Sequence, residues 1–207
     1  MGSHQRGGNG VYDPRDERDA CGFGLIAHLD DTPSRALVDQ SLEALARMAH
    51  RGGVAADGLT GDGCGLLLKT PDAFLRALAS ESGIALGQRY ASGLVFMPRD
   101  AAAIDRVHAT FAQAMREVGL AVSGWRVVPT DDCVCGDLAK QTMPAIEQVF
   151  VVPVLDVEGA RMEPAAFARA LYLARRRAEQ RLRDVPGLHV VTLSADAIGY
   201  KGMVLPE

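Results

Sequence analysis

The stretch Asp19-Ala20-Cys21-Gly22-Phe23-Gly24-Leu25-Ile26-Ala27-His28-Leu29 sets a cysteine at the head of the first apolar run, behind a polar, glycine-rich leader. Removing the leader, residues 1–20, would leave a thiol and a free α-amino group on one residue, Cys21. An ordinary thiol has a pKa of about 8.5 and an α-amino group one of about 7.7–8.0, so part of the amine is neutral near physiological pH and can accept the thiol proton. A nucleophile activated by its own N-terminal amine needs no separate histidine. Position alone leaves a second reading open, a buried structural cysteine, because free cysteine is among the most buried residue types.

Outward from Cys21, the run leads through Asp30-Asp31-Thr32-Pro33-Ser34 into a helical pattern, Ala36 to Met48, and then His50-Arg51-Gly52-Gly53. Ala56-Asp57-Gly58 and Thr60-Gly61-Asp62-Gly63-Cys64-Gly65 follow, before Leu66-Leu67-Leu68. In this order the segments resemble the class II glutamine amidotransferases, and among them most closely the glutamate synthase family, from about Arg18 to the last residue.

The resemblance implies an α+β fold, the N-terminal-nucleophile hydrolase four-layer α/β/β/α sandwich, in which two antiparallel sheets lie between helix layers. It implies that Cys21 hydrolyses L-glutamine and that Arg51, Gly52 and Gly53 lie in the glutaminase pocket. The released ammonia would pass inside a longer synthase chain to a second site, where it adds reductively to 2-oxoglutarate. There FMN, an iron-sulfur cluster and electrons from NAD(P)H or ferredoxin are implied, with a small electron-supplying subunit as a further partner. No cofactor and no metal is expected in the present segment.

The family's oxyanion-hole Asn-Gly pair, the arginine for the glutamine α-carboxylate and the aspartate for its α-amine lie beyond the matched region. Residues 1–20 are therefore expected to be a leader or propeptide, and 21–207 the first part of an amidotransferase domain whose sandwich is incomplete. Loss of one oxyanion donor costs on the order of a hundredfold to a thousandfold in turnover, so the isolated chain is expected to be inactive. Two other readings stand beside this one: another class II amidotransferase or amidohydrolase sharing only Cys21 and its strand, and a non-catalytic module retaining the fold.

The residues support the pocket independently to different degrees. Arg51 follows a helix beside a glycine pair, where its planar fork can reach a mature N-terminus or a substrate carbonyl; the alternative is a helix-end arginine on main-chain carbonyls. His50 is read as packing beside it, and Asp57 and Asp62 as turn-forming and positioning groups. Gly22, Gly24, Gly52, Gly53, Gly61, Gly63 and Gly65 suit either close backbone approach to a ligand or tight turns at strand ends. A phosphate loop is disfavoured, since Gly61-Asp62-Gly63-Cys64-Gly65 lacks the lysine and Ser/Thr of such a loop and its acid would repel phosphate.

With 207 residues the chain can bury a sizeable core in one domain. A net charge of −4 argues against nucleic acid, and the one dense basic run, Arg175-Arg176-Arg177, shares a helical pattern with Glu179 and reads as a solvated face or partner contact. Four cysteines without a signal-like N-terminal segment point to a reducing cytoplasm, and no apolar run is long enough to span a bilayer. Cys133-Val134-Cys135 lacks the second pair of ligands that a tetrahedral metal site needs.

Short apolar runs that alternate with amphipathic helices along the chain predict strands over Gly22 to Leu29, Gly63 to Lys69, Tyr90 to Met97, Ala121 to Val128, Gln148 to Leu155 and Leu188 to Leu193. Helices are predicted over Ser34 to Ala49, Pro71 to Ser82, Ala101 to Val118 and Glu163 to Arg183. Ser34 is the expected cap of the first, Pro71 and Pro164 the expected starts of the second and fourth, and Gly52-Gly53 the expected end of the first.

Overall fold

Apolar runs too short to bury themselves pair into two antiparallel sheets. A computed structural model describes residues 22–48, 53–61, 63–133, 135–154 and 162–203. One sheet pairs β1 (Gly63–Lys69) with β6 (Ala197–Met203), setting Cys64 opposite Gly202 and Leu66 opposite Tyr200. The other has the order β3 (Leu120–Val127), β4 (Ala145–Pro153), β2 (Ala91–Met97), β5 (His189–Val190).

Burial along β2 is nearly continuous rather than alternating, the mark of a strand covered on both faces. On one face lie α3 (Ala101–Arg116) and α5 (Pro164–Arg181). Val107, Phe111, Ala114 and Met115 form the buried stripe of α3, and Phe167, Ala170, Leu171, Ala174 and Ala178 that of α5, both at helical spacing. These stripes close over Ala91, Val95, Met97, Val149 and Val151 as the larger core.

On the other face Phe150 and Val152 meet Leu68, Ile198 and Tyr200 of the β1–β6 sheet, together with Leu75 and Ala79 of α2 (Asp72–Glu81). The two sheets thus pack against each other. α1 (Arg35–Ala46) lies against β1 and has no fully buried residue.

The chain passes from the first sheet to the second through α2, and returns by a crossing segment after β5. After pairing His189 with Phe96 and Val190 with Val95, the chain leaves the ladder and returns to β2 at the Ser92–Ser194 bridge. Thr70 then holds it by its N–H to Asp196 O, at 2.9 Å, and by its hydroxyl to Ala195 O, at 2.8 Å, before β6 begins. This is why β5 has two residues where six were expected, and why β6 exists at all.

Most helices begin where expected. Leu37 N–H donates to Ser34 Oγ at 3.4 Å, capping α1, and Pro164 is the first residue of α5. Pro71 is the residue before α2 rather than its first turn. α1 ends at Ala46, ahead of the expected glycine stop, in a tight turn from Met48 N–H to Leu45 O.

A further correction concerns Gly22 to Leu29, which forms no strand. An apolar run becomes a strand only by hydrogen bonding to a neighbour, and no partner strand lies beside it among the described residues. Phe23, Leu25 and Leu29 are accordingly exposed.

Candidate functional site

Cys21, Arg51 and Gly52 lie outside the described residues, as do His50 and Asp62. Gly53 is described, exposed at the head of the segment 53–61. The geometry on view is therefore the frame of the candidate pocket: the segment leaving Cys21, the loop leaving Gly53, and the strand that loop enters.

The loop is closed on itself. Val54 bridges Gly61, Ala55 N–H donates to Thr60 O at 2.8 Å, and Gly58 N–H donates to Ala55 O at 3.0 Å. Inside the turn Asp57 accepts at Oδ1 from the N–H groups of Leu59 (3.1 Å) and Thr60 (2.8 Å), and at Oδ2 from the Thr60 hydroxyl (2.6 Å). The expected turn-forming role of Asp57 is thus present.

The same two side chains also reach out of the loop. Thr60 Oγ1 accepts from Ala139 N–H at 3.3 Å, and the Asp57 carboxylate takes a further bond from Leu138 N–H. Both donors belong to α4 (Asp137–Thr142), a six-residue helix that starts without a side-chain cap of its own at Gly136. Asp57 and Thr60 supply that cap from a distance, satisfying N–H groups that a helix start leaves open. Gly136 is the condition for this approach: a Cβ there would stand 2.3 Å from Asp57 Oδ2 and 2.7 Å from Thr60 Oγ1. Sequence reasoning missed both α4 and Gly136, since Thr60 and Ala139 are 79 positions apart and neither segment carries a local sign of the other.

Hydrogen bonds from Thr60, first its hydroxyl and then its N–H, hold the Asp57 carboxyl down at a pKa of about 2. A carboxylate whose folded pKa lies below its unfolded value, about 3.9, contributes stability that is complete above that value and fades as pH falls through the folded one. Acidification from about pH 4 to about pH 2 is therefore expected to release the loop from α4. Hydrogen exchange at the Leu59, Thr60 and Ala139 amides checks this. Protection that stays level across that window would mean that Asp57 does not hold the turn.

Gly63 and Gly65 of the expected glycine cluster sit within β1, where a Cβ on Gly65 would lie 3.0 Å from Tyr200 O. Close strand pairing, not a ligand, accounts for Gly65. Gly61 closes the loop and Gly24 stands in open space.

The described thiols contrast with what the chemistry needs. Burial pushes the Cys64 thiol up, and the Asp131 carboxylate beside Cys133 pushes that thiol up. Neither is activated as a thiolate. Cys64, Cys133 and Cys135 are all unbridged. Among the described residues no group of three or more His, Cys, Asp or Glu side chains could hold a metal ion, and no helix is long and apolar enough to cross a membrane.

Arg175-Arg176-Arg177 is engaged within the chain: Arg175 and Arg176 pair with Glu179 at 2.8 and 2.9 Å, and Arg177 faces Glu117 at 3.6 Å. An open apolar cleft of about 750 Å³ lies at the other end of α4, against Phe96, Met97, Met143 and Pro144. Arg99 on its rim is committed to the carbonyls of Lys140 and Met143, Asp100 caps α3 at Ala103 and the Thr142 hydroxyl donates back to the carbonyls of Leu138 and Ala139, so the cleft offers no cysteine and no uncommitted guanidinium.

Comparison with known proteins adds a family to this frame. The profile described as Glutamine amidotransferases class-II matches residues 21–207, so the match starts at Cys21. The chain is 34% identical over 199 residues to the Glutamate synthase (NADPH) large chain of Bacillus subtilis (strain 168), covering 96% of this chain and 13% of that one. It is 37% identical over 203 residues to the protein of the same name from Azospirillum brasilense, covering 95% and 13%. To Ferredoxin-dependent glutamate synthase 2 of Synechocystis sp. (strain ATCC 27184 / PCC 6803 / Kazusa) it is 37% identical over 191 residues, covering 91% and 12%. The chain spans only about an eighth of the length of these relatives, at 12–13% of each.

Proposed function

Because the chain belongs to the class II glutamine amidotransferases, we propose that it is the glutaminase portion of a glutamate synthase, releasing ammonia from L-glutamine. The observation that carries this is the coincidence of the family match's first residue with Cys21, the residue chosen on chemical grounds as a nucleophile with its own base. The Cys21 thiol gives its proton to the α-amine and attacks the side-chain amide carbon. The C–N bond breaks, the amine's proton leaves with ammonia, and water opens the thioester to give glutamate. Residues 1–20 are a leader removed before this chemistry, and 21–207 form the first part of the amidotransferase domain. Arg51, Gly52 and Gly53 line the pocket.

The N-terminal-nucleophile sandwich is the architecture that best accommodates two face-to-face antiparallel sheets with α3 and α5 outside one and α1 against the other. The ammonia would be used elsewhere in the longer polypeptide, for reductive addition to 2-oxoglutarate. FMN and an iron-sulfur cluster, with NADPH or ferredoxin as named for the relatives, would belong there. Among the described residues no cluster of thiols stands together as ligands for an iron-sulfur cluster. A small electron-supplying subunit is the further partner, and the three unbridged thiols suit a cytoplasmic setting.

Maturation gives the test. The full polypeptide in which this sequence occurs, purified in its glutamine-hydrolysing form, is expected to have a mass lacking residues 1–20 and to begin at Cys21. Cleavage can be autocatalytic, the thiol attacking the Ala20 carbonyl and water hydrolysing the resulting ester. A fully active protein retaining Met1 to Ala20 would refute the N-terminal-amine mechanism.

A further inference from the structure

The space between the two sheets is not apolar throughout. One end is the packed core of Leu68, Leu75, Phe150 and Ile198, but further along the same inner faces carry polar side chains. Gln148 shares the inner face of β4 with Phe150, since alternate residues of a strand point the same way, and it is fully buried. Its amide is held at both ends: Nε2 donates to Ser92 Oγ at 2.8 Å, and Oε1 accepts from the Arg126 guanidinium at 3.1 Å. Arg126 stands opposite Gln148 in the β3–β4 ladder. Two residues before it, a Cβ on Gly124 would lie 2.7 Å from the Ile84 side chain, which belongs to the core between the sheets, so this face of β3 looks inward. From the facing sheet comes Tyr200, whose hydroxyl is buried and has no hydrogen-bond partner among the described residues. Burial pushes its phenol pKa up and the charge of Arg126 acts in the opposite sense, which sets the two groups near each other.

Donors outnumber acceptors at this end of the space. Among the described residues Arg126 meets no carboxylate and bonds the neutral Gln148 oxygen, whereas Arg106, Arg175 and Arg181 each face an acidic partner. A part-buried cation without a counter-charge and a buried hydroxyl without an acceptor are both costly. A planar carboxylate answers both, because the fork of a guanidinium takes it through two parallel bonds and the Tyr200 hydroxyl donates to it from the other sheet. Leu66, opposite Tyr200 in the β1–β6 ladder, and Leu94, opposite Gln148 in the β2–β4 ladder, flank the polar groups with apolar surface that suits an aliphatic body. We propose that Arg126 and Tyr200 form a binding site for the carboxylate of a small aliphatic acid between the two sheets, with Gln148 and Ser92 positioning the guanidinium. The site stands on its own side chains and does not depend on the glutaminase reading.

The test uses the full polypeptide that carries this sequence, with butyrate as the probe and the rate of Arg126 modification by phenylglyoxal, located by peptide mass, as the readout. Butyrate is expected to slow that modification saturably and by about tenfold, while the exposed Arg169 keeps its rate and chloride at equal ionic strength has no effect. Tyr200→Phe should raise the butyrate concentration needed by about tenfold, the loss of one hydrogen bond to a charged group. Gln148→Glu sets a carboxylate of the protein's own beside Arg126, so the slow rate should appear without butyrate and no longer respond to it. Where Gln148→Glu fails to fold, Tyr200→Phe decides alone. An Arg126 that reacts equally fast with and without butyrate would overturn the proposal. So would one already shielded in the wild-type protein without butyrate, which would assign the guanidinium to another part of the polypeptide. Inorganic phosphate protecting as well as butyrate would overturn the carboxylate class, and an unchanged butyrate dependence in Tyr200→Phe would overturn the pairing of Tyr200 with Arg126.

Discussion

Cys21→Ala in the full polypeptide is expected to lower glutamine-dependent glutamate formation by about ten-thousandfold or more, the scale on which loss of a nucleophile is felt in hydrolases. Synthesis from added ammonia should persist. The thiol is required only to break the amide bond, and ammonia supplied from solution bypasses that step. Alanine substitution of Cys64 or Cys133 serves as the comparison, since burial and the Asp131 carboxylate respectively hold those thiols protonated. Both should retain most activity. Assaying the two nitrogen sources side by side decides the matter, and equal loss of both in a folded Cys21→Ala protein would make the residue structural.

Gly93→Ala is expected to destabilise the fold by about 3 kcal/mol, at the upper end of what one added methyl costs in a packed interior. A Cβ at this position of β2 would lie 2.1 Å from Thr192 O and 2.9 Å from Leu193 Cα, which are main-chain atoms rather than the end of a flexible side chain. The crossing segment cannot simply back away. It is tied on both sides of Gly93, by Val191 N–H to Leu94 O at 2.9 Å and by Ser194 N–H to Ser92 O at 3.1 Å. Gly24→Ala, where nothing lies within 4 Å, is the control and should stay within about 0.5 kcal/mol of the parent. Denaturant unfolding of the chain compares the two. Equal stability would mean that the β2 crossing is looser than its geometry. The consequence extends to the pocket frame, because the segment that crosses Gly93 becomes β6, and β6 holds the strand into which the loop from Gly53 runs.

Elements that bury a regular stripe were legible in the residues alone. The spacing of Val107, Phe111 and Ala114 marks α3, and the Pro164 start and the alanine-rich stripe mark α5, because a 3.6-residue period survives whatever the helix packs on. The short apolar runs of β1 and β2 placed those strands within a residue of their observed limits. Chemistry could also be read locally: a nucleophile and a base on one residue require no knowledge of distant contacts, and the motif order around Arg51 and Gly53 pointed to the family that the comparison found.

Pairing, by contrast, was decided only in three dimensions. Gly22 to Leu29 has the pattern of a strand but no neighbour to bond among the described residues, whereas Ala197–Met203, with Gly199, Lys201 and Gly202 interrupting its pattern, is a strand because β1 lies beside it. The switch of the chain between sheets at Gly93, the helix α4 that borrows its cap, and the Asp57–Thr60–Gly136 contact have the same origin. Hydrogen-bond donors and acceptors are satisfied by whatever the fold brings near, and residues 79 positions apart become neighbours only after both sheets have closed. The residue types that nominate Cys21 are a property of one short segment; the contact between the loop after Gly53 and α4 is a property of the packing between segments.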